Sequence, residues 1–357
     1  MMKPIAHLFR SAEVLVIGDV MLDEYVVGSV SRICPEAPVP VLDVHTRYNA
    51  AGGAANVAMN VAGLTATAHL VGLAGRDAAG LALRQLLKDR SIGDSGLIDA
   101  GDRGTISKTR IVAGQQQICR IDHGLTADAT GHLLAGLLDA AKELIHRCSL
   151  VVLSDYAKGT LSAKFCKAVI SFAREINKPV IVDPKSKTFT KYRGCTVITP
   201  NVAEAALATS IKIDSQFSLR KAGSALLAQL PGTSVLITRG PDGMALFEHG
   251  AAPVFIPTVA RKIFDVVGAG DTAVATLAVA LAAKLPIREA VVLANIAAGI
   301  VVEKHGTASV SIEELLGHDG TAGWTRSSLP ADALGPNKEH MIVSRFTNPP
   351  ATPVSAL

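Results

Sequence analysis

Short apolar runs separated by helix-length stretches constrain the fold of this chain more than any other feature. Val14–Gly18, His69–Gly72, Leu150–Ser154, Val180–Asp183, Thr196–Thr199 and Ser234–Thr238 each read as one buried strand. Asn56–Leu64, Gly80–Asp89, Ala135–Ile145, Ala163–Ile176 and Leu219–Leu230 lie between them with helical length and composition. Such alternation predicts βαβ units with right-handed crossovers. The fold class expected is α/β, a three-layer α/β/α sandwich around a mostly parallel sheet.

Two segments break this rhythm. Tyr25–Tyr48 and Gly104–His123 alternate apolar and polar residues, as in Val39–Val44 and Ile118–Asp122. That two-residue period belongs to half-exposed antiparallel strands. It predicts a small second sheet, a lid, inserted at about 20–48 and 104–123. A small sheet with one apolar face needs a cover, whether substrate, main domain or twin subunit. Val235–Glu248 reads as strand, turn, strand around Pro241-Asp242-Gly243, a turn signal with a mechanism. One folded unit is expected over 1–325, followed by a poorly ordered Pro-, Ser- and Ala-rich tail over 326–357.

Composition narrows the function classes. The 357 residues are 49% hydrophobic and 18% charged, which suits a large buried core. With 35 basic and 31 acidic residues the net charge is only +4. No Lys/Arg run offers a footprint for nucleic acid or an anionic membrane. Five scattered cysteines without a CxxC indicate neither a zinc site nor a disulfide framework. Met1–Arg10 lacks the long apolar core of a secretory signal. Ala273–Ala283 and Val291–Val302 are shorter than the roughly 20 residues that span a bilayer. A soluble, cytoplasmic protein is expected.

The strongest chemical signal is Asp265-Val-Val-Gly-Ala-Gly-Asp-Thr272, which opens directly into an Ala-rich helix. Gly268, Ala269 and Gly270 let the backbone turn tightly and expose its amides. Free N–H groups and the positive end of the helix dipole make an anion site there. Such a nest suits a phosphoryl group in transfer. Asp271 at its mouth can take the proton of an attacking hydroxyl; read alone, it is also an ordinary helix cap. Asn201 and Glu204 share one face of a helix start, where the plain reading is a capping box. Asp183 and Lys185 end an apolar strand, where open α/β sheets bind ligands. The chain has no GxxxxGK[ST], no HExxH and no Gly-x-Ser-x-Gly elbow.

Asp265–Thr272 resembles the second signature of the PfkB, or ribokinase-like, carbohydrate kinases. Gly52-Gly53-Ala54-Ala55-Asn56 resembles their first. The resemblance implies ATP and Mg²⁺ as cofactors and Asp271 as catalytic base, with Gly268, Ala269 and Gly270 around the phosphoryl. It implies nucleotide contacts at Asn201, Glu204, Lys185, Arg239, Gly240 and Gly243, with Glu204 reaching Mg²⁺ through water. It implies a sugar site at Gly52, Gly53, Asn56 and Asp183. Longer strings, Gly18–Asp23, Ser31–Pro40, Gln116–Asp122 and Leu153–Gly159, are similar to the heptose 7-phosphate kinases of lipopolysaccharide-core synthesis. They imply phosphorylation of D-glycero-β-D-manno-heptose 7-phosphate at C1, and a homodimer through the lids. Asp19 and Asp23 are then candidate acceptors for sugar hydroxyls, and Arg32, Lys108, Arg110 and Arg120 candidate phosphate ligands. Cys34 and Val267 depart from the expected Ser and Thr. No His-x-Gly-His motif follows Leu316, so a stand-alone kinase is expected. Another kinase of the family, or a non-catalytic binding module, are the alternatives.

Overall fold

The computed structural model describes residues 3–260, 265–304 and 309–318; the expected tail at 326–357 lies outside them. Helix α1 (Lys3–Arg10) leads into β1 (Glu13–Gly18). A long ribbon, β2 (Val20–Ile33) and β3 (Pro40–Gly53), leaves the body and returns into α2 (Ala54–Gly63). Next come β4 (Thr67–Ala74), α3 (Ala78–Asp89) and β5 (Leu97–Asp99), then a second excursion, β6 (Ser107–Ala113) and β7 (Gln116–His123). The chain continues through α4 (Gly131–Arg147), β8 (Leu150–Ser154), α5 (Ala163–Glu175), β9 (Val180–Asp183), β10 (Val197–Ile198) and α6 (Val202–Thr209). It continues with α7 (Gln216–Gln229), β11 (Ser234–Thr238), β12 (Met244–Phe247) and β13 (Val254–Ile256), then α8 (Ala269–Ala282), α9 (Ile287–Val302) and α10 (Ile312–Gly317).

Nine strands form the central sheet in the order β13-β12-β11-β10-β9-β8-β1-β4-β5, with β12 antiparallel to both neighbours and the other pairs parallel. Helices cover both faces, so β1 alternates apolar with apolar. Val14 and Val16 pack among residues of α2, α8 and α9; Leu15 and Ile17 pack among residues of α4, α5 and α7. With aromatics at only 4%, small side chains fill the core. Helix α8 is buried nearly all round through Ala, Val, Leu and Thr, and lies between α2 and α9. Among the described residues no helix is long and apolar enough to cross a membrane.

The lid is a four-stranded sheet ordered β3-β2-β6-β7. Its β2–β3 and β6–β7 pairs are antiparallel as expected, but β2 and β6 run parallel. Each is the outbound strand of its own excursion from the same edge of the main sheet, which fixes their common direction. The first excursion closes where Val20 pairs with Gly53. Gly53 has φ 56°, and a Cβ there would sit 2.3 Å from the Asp19 carbonyl. Only glycine turns this corner without strain.

Candidate active site

The carboxyl ends of β8 and β9 and the amino end of α8 surround a cavity of about 600 Å³. Ligands of open α/β sheets bind at this edge. Asp183, Lys185, Asn201, Glu204, Gly240, Gly243, Gly268, Ala269, Gly270 and Asp271 all line it.

Gly268 starts α8 with a left-handed φ of 80°, which places Asp271 on the first turn. Asp271 does not cap its helix, since no side chain does. Asn56 Nδ2 donates to its Oδ2 at 2.6 Å, and the Tyr156 hydroxyl donates a short hydrogen bond to Oδ1. Burial raises the Asp271 carboxyl above its ordinary range. The two hydrogen bonds pull it down, Asp23 adds to the rise and Lys108 opposes it. A carboxylate of raised basicity is suited to take a proton from a hydroxyl near neutral pH. The Ala269 N–H is already donated to the Val266 carbonyl at 3.3 Å. The expected amide nest thus narrows to Gly270 and Asp271, which precede the first intrahelical bond.

A polar network holds this geometry. Thr272 Oγ1 donates to Asn60 Oδ1 at 2.9 Å, and Asn60 Nδ2 donates to the Asn56 carbonyl at 2.9 Å. Asn60, Thr272 and Tyr156 were not assigned from sequence. The spacing of Asn56 and Asn60, four apart on one helix face, was the available signal.

Asp19 is a correction. Its carboxylate is 1% exposed and accepts the backbone N–H groups of Tyr156, Lys158 and Thr160, each at 2.9 Å. It shapes the loop that delivers Tyr156, and its oxygens are spent there. Asp155, beside it, takes the Tyr192 hydroxyl at 2.6 Å and Lys191 at 2.5 Å. Asp23 pairs with Arg110 at 2.9 Å. A Cβ on Gly52 would lie 3.0 Å from that Asp23 carboxylate, so Gly52 makes room for Asp23.

Directly opposed residues share a face of a sheet. Asp23, Lys108 and Asp122 are opposed across the lid, as are Tyr48, Tyr25, Arg110 and Arg120. Lys108 stands over the Tyr156 ring, 5.6 Å from its centroid, so this face meets the catalytic end of the sheet. Arg120 is held by Asp122 at 2.7 Å. Lys158, missed in the sequence, joins them closely enough to depress the Lys108 ammonium, whose fall is due first to burial. Arg32 does not join. It is exposed, nine residues beyond Asp23, about 30 Å along a strand rising ~3.3 Å per residue.

Around the cavity, Asn201 and Glu204 do form the capping box of α6. Glu204 Oε1 also takes Lys185 Nζ at 2.8 Å. Burial, then Asp271 and Glu204, push the Asp183 carboxyl well above its ordinary range. Three carboxyls thus face one wall beside Lys185, a surplus of negative charge that suits a hard divalent cation. Gly240 and Gly243 line the cavity, but Arg239 turns onto Asp242 and the Phe255 ring and does not.

Fold and site together define a ribokinase-like phosphotransferase architecture. A ribokinase of Arabidopsis thaliana complexed with ribose and ATP is similar in fold, with TM-score 0.70, 21% identity, and coverage of 86% of this chain and 98% of that one. The model of the pfkB family of carbohydrate kinases matches residues 11–315, and the chain belongs to that family. It is 46% identical over 315 residues to the bifunctional protein HldE of Caulobacter vibrioides, covering 87% of this chain and 65% of the relative. A Caulobacter sp. HldE is 47% identical over 310 residues, covering 87% and 63%. The chain thus spans just under two thirds of the length of these relatives.

Proposed function

We propose that this chain transfers the γ-phosphoryl of ATP to the anomeric C1 hydroxyl of D-glycero-β-D-manno-heptose 7-phosphate. The product is the 1,7-bisphosphate, a step toward ADP-heptose for the lipopolysaccharide core. One observation carries the reading: Asp271 stands between an acidic, nucleotide-sized cavity and a lid face bearing Lys108, Arg110 and Arg120. The cavity fits ATP and the basic face fits the acceptor's phosphate.

In this reading Asp271 accepts the hydroxyl proton, and the Gly270 and Asp271 amides steady the phosphoryl oxygens. Asp23 and Asn56 orient sugar hydroxyls, and closure of the lid excludes water that would otherwise take the phosphoryl. Mg²⁺, when bound, neutralises the phosphate charge; Asp183 and Glu204 fit it, Glu204 through water as Mg²⁺ commonly allows. Dependence on ATP places the work in the cytoplasm, and the lids are proposed to pair in a homodimer.

The test is coupled ADP release with Mg-ATP over a panel of sugar phosphates. Turnover is expected on the heptose 7-phosphate, and Asp271→Asn should lower it on the order of 10²–10⁴-fold. Turnover on a different sugar alone would discard the substrate, and full activity in Asp271→Asn would discard the base.

A further inference from the structure

Glu13, His69 and Cys148 converge at the amino ends of β1 and β4, at the opposite edge of the sheet from the cavity. Their ligand atoms all lie within 4.8 Å of one another. His69 Nε2 stands 3.4 Å from Glu13 Oε2. Ligand atoms on a tetrahedral zinc, with bonds of about 2.0–2.3 Å, are about 3.3–3.8 Å apart. The imidazole and carboxylate are already at that spacing, and the thiol, within 4.8 Å of both, needs a movement of at most about 1 Å.

The three groups come from separate segments that the fold locks together. The Ser149 N–H donates to the Glu13 carbonyl at 2.8 Å, which ties the residue after Cys148 to the start of β1. His69 Nε2 is buried yet makes no hydrogen bond. It meets the Glu13 carboxylate only as a 3.4 Å ion-pair contact outside hydrogen-bond geometry, which leaves the nitrogen poorly satisfied. Cys148 is fully buried, whereas the Glu13 side chain is 43% exposed. An ion can enter past Glu13 and keep water as its fourth ligand.

Chemistry selects the ion. Imidazole, carboxylate and thiolate together suit Zn²⁺ and poorly suit Mg²⁺ or Ca²⁺. A thiolate and a carboxylate would balance its charge, the thiol proton passing to solvent as the metal binds. The carboxyl end of α4, with its partial negative charge, lies alongside. Lys178 Nζ is held on the Cys148 carbonyl at 2.7 Å, but burial and then Glu13 raise the Cys148 thiol to about 12, so the metal itself must displace the proton. We propose that Glu13, His69 and Cys148 form a zinc-type metal site, independent of the catalytic centre, that pins α4 to the sheet.

Cobalt(II) titration of the chain carrying Cys34→Ser and Cys119→Ser tests this. One equivalent should produce a near-ultraviolet sulfur-to-cobalt charge-transfer band and visible tetrahedral bands, both removed by one equivalent of zinc. Hard oxygen ligands at the catalytic end give no sulfur band. Cys148→Ser should abolish it. His69→Gln should weaken cobalt binding at least about tenfold, with the circular dichroism of the apo-protein and the kinase rate unchanged. No sulfur band at one equivalent, or a band that survives Cys148→Ser, overturns the site.

Discussion

A carboxylate serves as a general base when its pKa approaches the working pH, and burial, with Asp23 adding to it, lifts Asp271 in that direction. Tyr156 and Asn56 restrain the lift by donating to the ionised form. Tyr156→Phe removes one charge-assisted hydrogen bond, a group worth about 1.5–3 kcal/mol. The Asp271 pKa should therefore rise further. The base must be ionised to work, so the acid limb of kcat/KM moves to higher pH, while the plateau above it changes little. An unmoved acid limb in the variant would show that Tyr156 does not set the basicity of Asp271. The glycine signature and Asp271 were legible because their chemistry is local in sequence. Tyr156 was not, because its role depends on Asp19 folding a loop 137 residues away. The same three amides explain why Asp19 resembled a sugar ligand in sequence and is a loop anchor in the structure.

Element by element, strands β8, β9 and β11 coincide with the runs read from sequence, since a strand covered on both faces must be continuously apolar. The parallel pairing of β2 with β6 was not legible, because it joins segments some 85 residues apart and leaves no local trace. The β3–α2 corner shows how tightly one element commits the next. Gly53→Ala puts a Cβ against the Asp19 carbonyl at positive φ, and the fold should lose about 1–3 kcal/mol in urea unfolding. A fall below ~0.5 kcal/mol would mean the corner relaxes freely. Helix α9 carries a different cost. Burial raises Glu289 from 4.5 to about 7, and its Oε2 has no hydrogen-bond partner. The folded state therefore holds that proton more tightly than the unfolded state does. Stability should fall as pH rises from about 4.5 to about 7 and level off above. Glu289→Gln should match wild type near pH 4 and exceed its Tm at pH 8. An equal Tm gap at both pH values would rule out titration as the cause.

At the scale of the whole molecule the lid poses a problem of surface. Its inner face is polar and meets the catalytic end, but the outer face carries Val26, Ile111 and Cys119 in opposed positions, with Val44 opposite Gly28 and Ile121 opposite Thr109. Val44 is 43% and Ile121 53% exposed. Apolar rows on a sheet with two unpaired edges are a hazard unless another surface covers them. A second copy presenting the same face would cover both at once, as a two-fold contact allows. Light scattering at micromolar concentration should therefore give about twice the chain mass of 37.0 kDa. Val44→Arg with Ile121→Arg should bring it to the monomer, because each charge would be buried against its own kind. Pairing of the lids would also bear on closure: a lid braced by its twin would hold Lys108 over Tyr156 and Arg110 on Asp23, whereas a solitary one must order itself for each substrate. The double variant should then raise the KM for the sugar phosphate more than the KM for ATP, with Asp271 and its plateau pH behaviour intact. A monomeric wild type, or a monomeric variant with an unchanged sugar KM, would separate the lid's catalytic role from assembly.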